Sequence, residues 1–167
     1  MAILRTIEQF RDQVVVNVNS DFASFAPDVK LVESERLKPL VGPALYNQLS
    51  AMSNAELAAL SGAMGELVGE LQCAAANLAM VEYLPLQQVQ ISSTGVHIVA
   101  TGDKKTAFQW QINQLLTSFR RKGFNALERA LAVLDEHIDV PAFAAWATSA
   151  AGTASHKYFL NTAAQFS

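Results

Sequence analysis

The segment from Met64 to Tyr83 constrains the fold more than any other part of the sequence. Its middle, residues 73–79 (CAAANLA), carries small side chains on nearly every side. Because the distance between packed helices depends on the side chains at their contact, this segment predicts the central helix of a bundle. A break is expected before it, near Ser61 and Gly62. Pro85 is expected to end the helix, since proline breaks its backbone hydrogen bonding.

Composition limits the class of protein. The chain has 167 residues, of which 51% are hydrophobic and 16% charged, so one folded domain is expected and general disorder is excluded. A single cysteine, Cys73, excludes a disulfide scaffold, and its Ala-rich surroundings indicate an inert, buried thiol. The net charge of −3 argues against a general nucleic-acid binder, which is usually basic.

Several shorter helices are predicted before this segment. Two capping boxes, residues 6–9 (TIEQ) and 53–56 (SNAE), mark helix starts. Gly42 followed by Pro43 predicts a stop and a new start. A second helix carries apolar residues at helical spacing, namely Phe22, Phe25, Val29 and Val32. Its charged residues are interpreted as a solvated face: Glu33, Glu35, Arg36 and Lys38.

Residues of about 87–100 show the one clear β pattern. Apolar residues alternate with polar ones on both sides of a short Gly-containing turn, which predicts a hairpin built on Val89, Ile91, Val96 and Ile98. A lone two-stranded hairpin is marginal in water. We therefore expect it to lie on the helices or on a neighbouring subunit, where these four residues are candidates for a subunit interface.

A second long helical region is expected after Thr101–Asp103, with an apolar stripe from Phe108 to Ile138 that includes Ile112, Leu115 and Phe119. Gly123 either caps a first helix or lies inside a single long one, and the single helix is favoured. A short helix with Phe143 and Trp146 follows. The fold class is thus mainly α: a helical bundle over 1–148 with a β-hairpin insertion, and a C-terminal extension over 149–167. The end of the chain is apolar for a terminus, with Tyr158, Phe159, Leu160 and Phe166.

No catalytic or metal-binding pattern stands out, so neither catalysis nor a cofactor is expected. The sequence contains no phosphate loop, nucleophile elbow or dinucleotide fingerprint. Residues 135–139 place acids around a histidine, which is interpreted as a solvated helix end. The histidines lack metal-ligand spacing: His97, His137 and His156. No signal peptide or spanning segment is recognised, and the chain is expected to work inside a cell or in a particle assembled there.

Basic residues gather on the second long helical region. Lys104 and Lys105 are expected to open it, and Arg120, Arg121 and Lys122 follow one helix length later. All five could contact phosphates. If the helix ended at Gly123, Arg120, Arg121 and Lys122 would lie at its C-terminus, where cations offset the helix dipole. This explanation fails for Lys104 and Lys105, because cations are unfavourable at the N-terminal end of a helix.

Four segments in the first fifty residues resemble the opening of head–tail connector (adaptor) proteins of tailed phages. They are residues 6–10 (TIEQF), 19–22 (NSDF), 37–42 (LKPLVG) and 45–46 (LY). The family pattern there is a short helix, an Asp-rich loop, a long acidic and apolar helix, a glycine and a short apolar element. Here the loop keeps a single aspartate, Asp21.

The rest of the chain resembles uncharacterised phage and prophage proteins with a similar layout. The segments that carry this likeness are residues 83–86 (YLPL), 95–97 (GVH), 107–111 (AFQWQ), 122–128 (KGFNALE) and 159–163 (FLNTA). The two sets together span most of the sequence.

The resemblance implies a structural protein of the virion neck, assembled in the host cytoplasm. Such connectors form a ring, typically twelvefold, beneath the portal, where they extend the DNA channel and dock a stopper or tail-completion protein. Packaged DNA would pass the basic residues without sequence-specific binding, and no membrane is involved. The C-terminal segment commonly reaches the portal, which makes Tyr158 to Phe166 a candidate docking element.

Two other function classes remain open from the sequence. A helical DNA-binding or regulatory module would show salt-sensitive duplex binding that depends on Arg120 and Arg121. A small enzyme with a site built from distant residues would show a pocket with strongly shifted titratable groups.

Overall fold

A computed structural model describes residues 2–15, 21–86, 89–92, 95–98, 109–150 and 152–154. Most of them are helical, which confirms the mainly α class. The α-helices are α1 (Ile7–Gln13), α2 (Ala26–Val32), α3 (Lys38–Val41), α4 (Pro43–Ala51), α5 (Asn54–Ala59), α6 (Gly62–Leu86), α7 (Gln109–Glu136) and α8 (Ala144–Ala147). Short 3-10 turns lie at Phe22–Ser24 and Pro141–Phe143, and a π-helical turn, Glu33–Leu37, joins α2 to α3.

The antiparallel pair of α6 and α7 forms the centre of the bundle. Ala74, Ala75 and Ala76 on α6 are completely buried, as the small-residue segment predicted. Gly123 of α7 lies so close to Leu78 of α6 that an added Cβ would be 2.6 Å from the leucine Cγ. Small side chains on both helices therefore set the distance between them.

The long helix α7 runs without interruption through Gly123, which confirms the favoured single helix. Its apolar stripe is narrower than expected: Ile112 is buried, whereas Leu115 is 47% exposed. The triplet from Arg120 to Lys122 lies in the middle of the helix, so the explanation that these cations offset the dipole of a helix end is wrong. The expected opening of the helix at Lys104 and Lys105 lies outside the described residues.

The N-terminal helices pack against α6 and begin where the sequence predicts. Thr6 and Ser53 cap α1 and α5 with complete capping boxes. Gly42, between α3 and α4, has a φ of +83°, a left-handed conformation that favours glycine and confirms the predicted stop. The solvated face assigned to α2 is wrong in one position, because Glu33 is only 1% exposed.

The predicted short C-terminal helix is confirmed as α8. Phe143 and Trp146 are both buried, and the Trp146 indole Nε1 donates a hydrogen bond to the Leu40 carbonyl at 3.0 Å. This contact fixes the end of the described chain to the segment just before α4.

Two short strands follow α6 and precede α7 in the sequence, β1 (Val89–Ser92) and β2 (Gly95–Ile98), and they pair with each other in antiparallel orientation. Their register places Val89 opposite Ile98 and Ile91 opposite Val96. The side chains of these four residues are not among those that the structure describes. That they form a subunit interface therefore stays a prediction. The extension over 155–167 also lies outside the described residues.

Replacing Gly123 with alanine is expected to destabilise the protein by about 1–3 kcal/mol, because the new methyl group would overpack Leu78. Gly69 on α6 is the matched control, since no atom lies within 4 Å of its added Cβ. Gly69→Ala should stabilise the helix by up to about 1 kcal/mol. Urea unfolding measures both. An equal increase in the free energy of unfolding in both variants would contradict the close approach of α6 and α7.

Candidate functional site: a buried carboxylate and an uncovered helix face

Glu33 holds the N-terminal segment of the chain against the bundle. Its Oε1 accepts hydrogen bonds from the backbone N–H groups of Ile3 and Leu4, both at 2.9 Å. Its Oε2 accepts one from the Tyr46 hydroxyl at 2.6 Å and shares the Ile3 N–H. We call these four residues the Glu33 anchor. The donors come from 13 to 30 residues away in the sequence, and spacing alone could not reveal them.

Burial dominates the electrostatics of the Glu33 anchor. It raises the pKa of the Glu33 carboxyl above its ordinary value. The hydrogen bonds from Tyr46, Leu4 and Ile3 and the charge of Arg5 lower this pKa, but burial has the larger effect. Burial also raises the pKa of the Tyr46 hydroxyl, and its hydrogen bond to Glu33 adds to the effect. The hydroxyl therefore stays protonated and remains a donor.

Arg5 reinforces the same attachment from the next residue along the chain. Its guanidinium donates to the carbonyl oxygens of Ser50, at 2.9 Å, and Met52, at the end of α4. Its Nε donates to the Ala2 carbonyl. A charged donor thus satisfies the last carbonyl groups of a helix, which have no partner within the helix itself.

A cavity of about 170 Å³ borders Glu33 and is also lined by Ala2, Lys30 and Tyr46. A carboxyl with a raised pKa beside a cavity is the feature that would favour an enzyme. In this protein both carboxylate oxygens are already engaged by donors of the chain itself. We therefore interpret Glu33 as a structural anchor.

The outward side of α7 carries large apolar groups that the bundle does not cover. Trp110 is 58% exposed on the side of α7 away from its buried residues, and Phe124 is 47% exposed beside the contact of α7 with α6. Exposed aromatic side chains beside arginine are typical of protein interfaces. We call Trp110, Arg120, Arg121 and Phe124 the α7 outer face.

The charge of this face differs from that of the N-terminal part. Residues 109–127 contain three cations and no acid, and the triplet from Arg120 to Lys122 is exposed. Residues 1–100, in contrast, contain five Lys or Arg against ten Asp or Glu. The molecule therefore carries a local cationic surface within an overall acidic chain.

A groove of about 160 Å³ adjoins the α7 outer face. It lies between the α2 segment with its π turn, α6 and α7. Its apolar residues are Val32, Leu78, Val81 and Phe124, and its charged residues are Arg36, Glu82 and Arg120. We call this set the groove. Sequence periodicity shows which residues are apolar, but not that three separate helices leave this gap between them.

The structure brings only part of the predicted site together. Arg120, Arg121 and Lys122 form one exposed turn of α7, whereas Lys104, Lys105 and the segment from Tyr158 to Phe166 lie outside the described residues. The described residues contain no cluster of three or more His, Cys, Asp or Glu side chains suited to a metal ion. No helix of the described part is both long and apolar enough to span a bilayer.

Comparison with known proteins gives one match. A family of unknown function, DUF6712, matches residues 37–155, a range that includes α4 to α8 and both strands. No curated protein and no solved structure matches the chain significantly.

Replacing Glu33 with alanine is expected to cost about 3 kcal/mol of folding free energy, because buried donors of Ile3, Leu4 and Tyr46 would lose their acceptor. Glu35→Ala, two residues away and exposed, is the control and should change stability by less than about 0.5 kcal/mol. Chemical denaturation measures both. If Glu33→Ala lost as little folding free energy as Glu35→Ala, the Glu33 anchor would not hold the N-terminal segment.

The raised pKa of Glu33 makes its contribution depend on pH. A carboxyl whose pKa is higher in the folded protein favours folding below its unfolded value of about 4.3, and this contribution is lost as pH rises through the folded value. The stability of the wild type relative to Glu33→Gln should therefore fall between pH 4 and the raised pKa. Urea unfolding across this range measures the difference, and a rise with pH would contradict the raised pKa.

Proposed function

Since the chain belongs to the DUF6712 family of unknown function, we propose its role from its own sequence and surface. We propose that it is a structural head–tail connector of a tailed phage. In this role it assembles into a ring under the portal, extends the DNA channel and docks stopper or tail proteins. It acts without catalysis or cofactor.

One observation carries the proposal: Trp110 and Phe124 stand half-exposed on the α7 outer face of an otherwise well-packed bundle. Removing such groups from water favours association, by roughly 25 cal/mol for each Å² of apolar surface covered. A protein that works as one part of an assembly has a reason to keep such a face uncovered. The resemblance of residues 6–46 to connector proteins supports the same role.

The remaining parts of the chain have roles in the same proposal. The paired strands β1 and β2 contact an adjacent subunit through Val89, Ile91, Val96 and Ile98. The segment from Tyr158 to Phe166 docks on the portal. The cations from Arg120 to Lys122, with Lys104 and Lys105, lie near the packaged DNA.

The exposed cations of α7 also support a second candidate function, a helical DNA-binding or regulatory module. Three adjacent cations on a helix segment without acids could contact a phosphate backbone. In that case the isolated monomer would bind duplex DNA with strong salt dependence, and Arg120→Glu with Arg121→Glu would abolish binding.

Co-expression with the portal protein of the same genome tests the connector. The full chain should co-purify with the portal as a ring of about twelve copies, visible by electron microscopy and weighable by native mass spectrometry. A chain lacking residues 155–167 should stay folded by circular dichroism and bind the portal more weakly. A genome without a portal gene, or a chain that stays monomeric beside its portal, would contradict the connector. Unchanged binding by the shortened chain would contradict only the docking role of its end.

A further inference from the structure

We propose that the groove receives Ile138 of a second copy of this chain, so that neighbouring subunits join head to tail. This inference rests on the proposed function and names the contact by which the ring would form. It depends on two features of the described residues that lie far apart on one molecule and are complementary in shape and charge.

The first feature is the groove. Four of its seven lining residues are apolar, and its volume of about 160 Å³ is close to that of an apolar cavity of about 150 Å³, which holds a group as large as benzene. One large aliphatic side chain therefore fits it. The other three are two arginines, Arg36 and Arg120, and one acid, Glu82, so the net charge of the lining is positive. We call these three charged residues the rim.

The second feature is the turn that follows α7. Ile138 is 41% exposed there, between the exposed acids Glu136 and Asp139. Two backbone hydrogen bonds shape this turn, from the His137 N–H to the Val133 carbonyl and from the Val140 N–H to the His137 carbonyl. We call Glu136, Ile138 and Asp139 the acidic knob. It presents one aliphatic side chain with a negative charge on either side.

The charges favour Ile138 over two exposed apolar residues of α7 that could otherwise enter the groove. Trp110 and Leu115 lie on the cationic part of α7, which the rim arginines would repel. The acidic knob is attracted instead. None of the side chains of Arg36, Arg120, Glu136 and Asp139 forms an ion pair with another described residue, so all four can pair across an interface.

The positions decide the kind of assembly. Phe124 in the groove and Glu136 in the acidic knob are 12 residues apart along α7, about 18 Å at the rise of an α-helix. Knob and groove therefore use different surfaces, and each copy can offer both at once. Such a heterologous contact continues from copy to copy and closes into a ring when the rotation allows. Leu31 directly precedes Val32 of the groove in the sequence, so a contact in which Leu31 entered the groove would use the same element on both copies, as a closed two-fold dimer does.

Charge reversal with complementation tests this contact on the full chain. The groove variant carries Arg36→Glu and Arg120→Glu, and the knob variant carries Glu136→Lys and Asp139→Lys. Sedimentation velocity over a range of concentrations measures self-association of each variant and of their mixture. Circular dichroism checks that both variants remain folded, as expected for exposed side chains.

The matched controls are Lys30→Glu, an exposed cation on α2 outside the groove, and Glu128→Lys, an exposed acid on α7 outside the acidic knob. Each double variant alone should weaken self-association at least about tenfold, and their mixture should restore it. Both controls should associate like the wild type.

Different failures separate this contact from the proposed function. The knob-in-groove contact is wrong if the wild type assembles and both double variants assemble equally well. It is also wrong if mixing the two double variants does not restore self-association. In either case the proposed connector function is unaffected. An equal loss with Lys30→Glu would replace the knob-in-groove contact with non-specific charge attraction. A dimer that Leu31→Asp abolishes would replace it with the two-fold contact. A wild type that stays monomeric, alone and with its portal, would overturn both proposals.

Discussion

The close antiparallel pairing of α6 and α7 is the constraint on which the rest of the structure depends. Buried alanines on α6 and the contact between Gly123 and Leu78 bring the two helix backbones close together. The N-terminal helices pack on α6, whereas α7 contacts mainly α6. Part of the surface of α7 stays uncovered, and there Trp110 and Phe124 are half-exposed. The pairing that builds the core thus also creates the candidate assembly surface.

A second interaction completes this core from the beginning of the chain. Burying the Glu33 carboxylate is costly unless donors satisfy it, and the N–H groups of Ile3 and Leu4 and the Tyr46 hydroxyl do so. The side chains of Ile3 and Leu4 are completely buried as a result. Arg5 fixes the same segment to the end of α4. Val32 and Arg36, which line the groove, lie on the same segment as Glu33.

Local sequence patterns predicted the starts and ends of helices well, but they predicted poorly which polar residues are buried and where a groove forms. The capping boxes at Thr6 and Ser53 and the stop at Gly42 depend on neighbouring residues, and all three were correct. The burial of Glu33 depends on donors up to 30 residues away, so its place among other charged residues was misleading. The groove could not be predicted, because it depends on the spacing of three helices. The acids around His137 were recognised in the sequence, but the groove to which we assign them as partners is formed only in the folded chain.

The proposed head-to-tail assembly would use the groove and the acidic knob of every copy together. A density map of the chain assembled on its portal, at a resolution that shows side chains, tests this account most directly. The account predicts a closed ring in which Ile138 of each subunit lies between Arg36 and Arg120 of the next. A ring in which Ile138 and the groove both face solvent would contradict it.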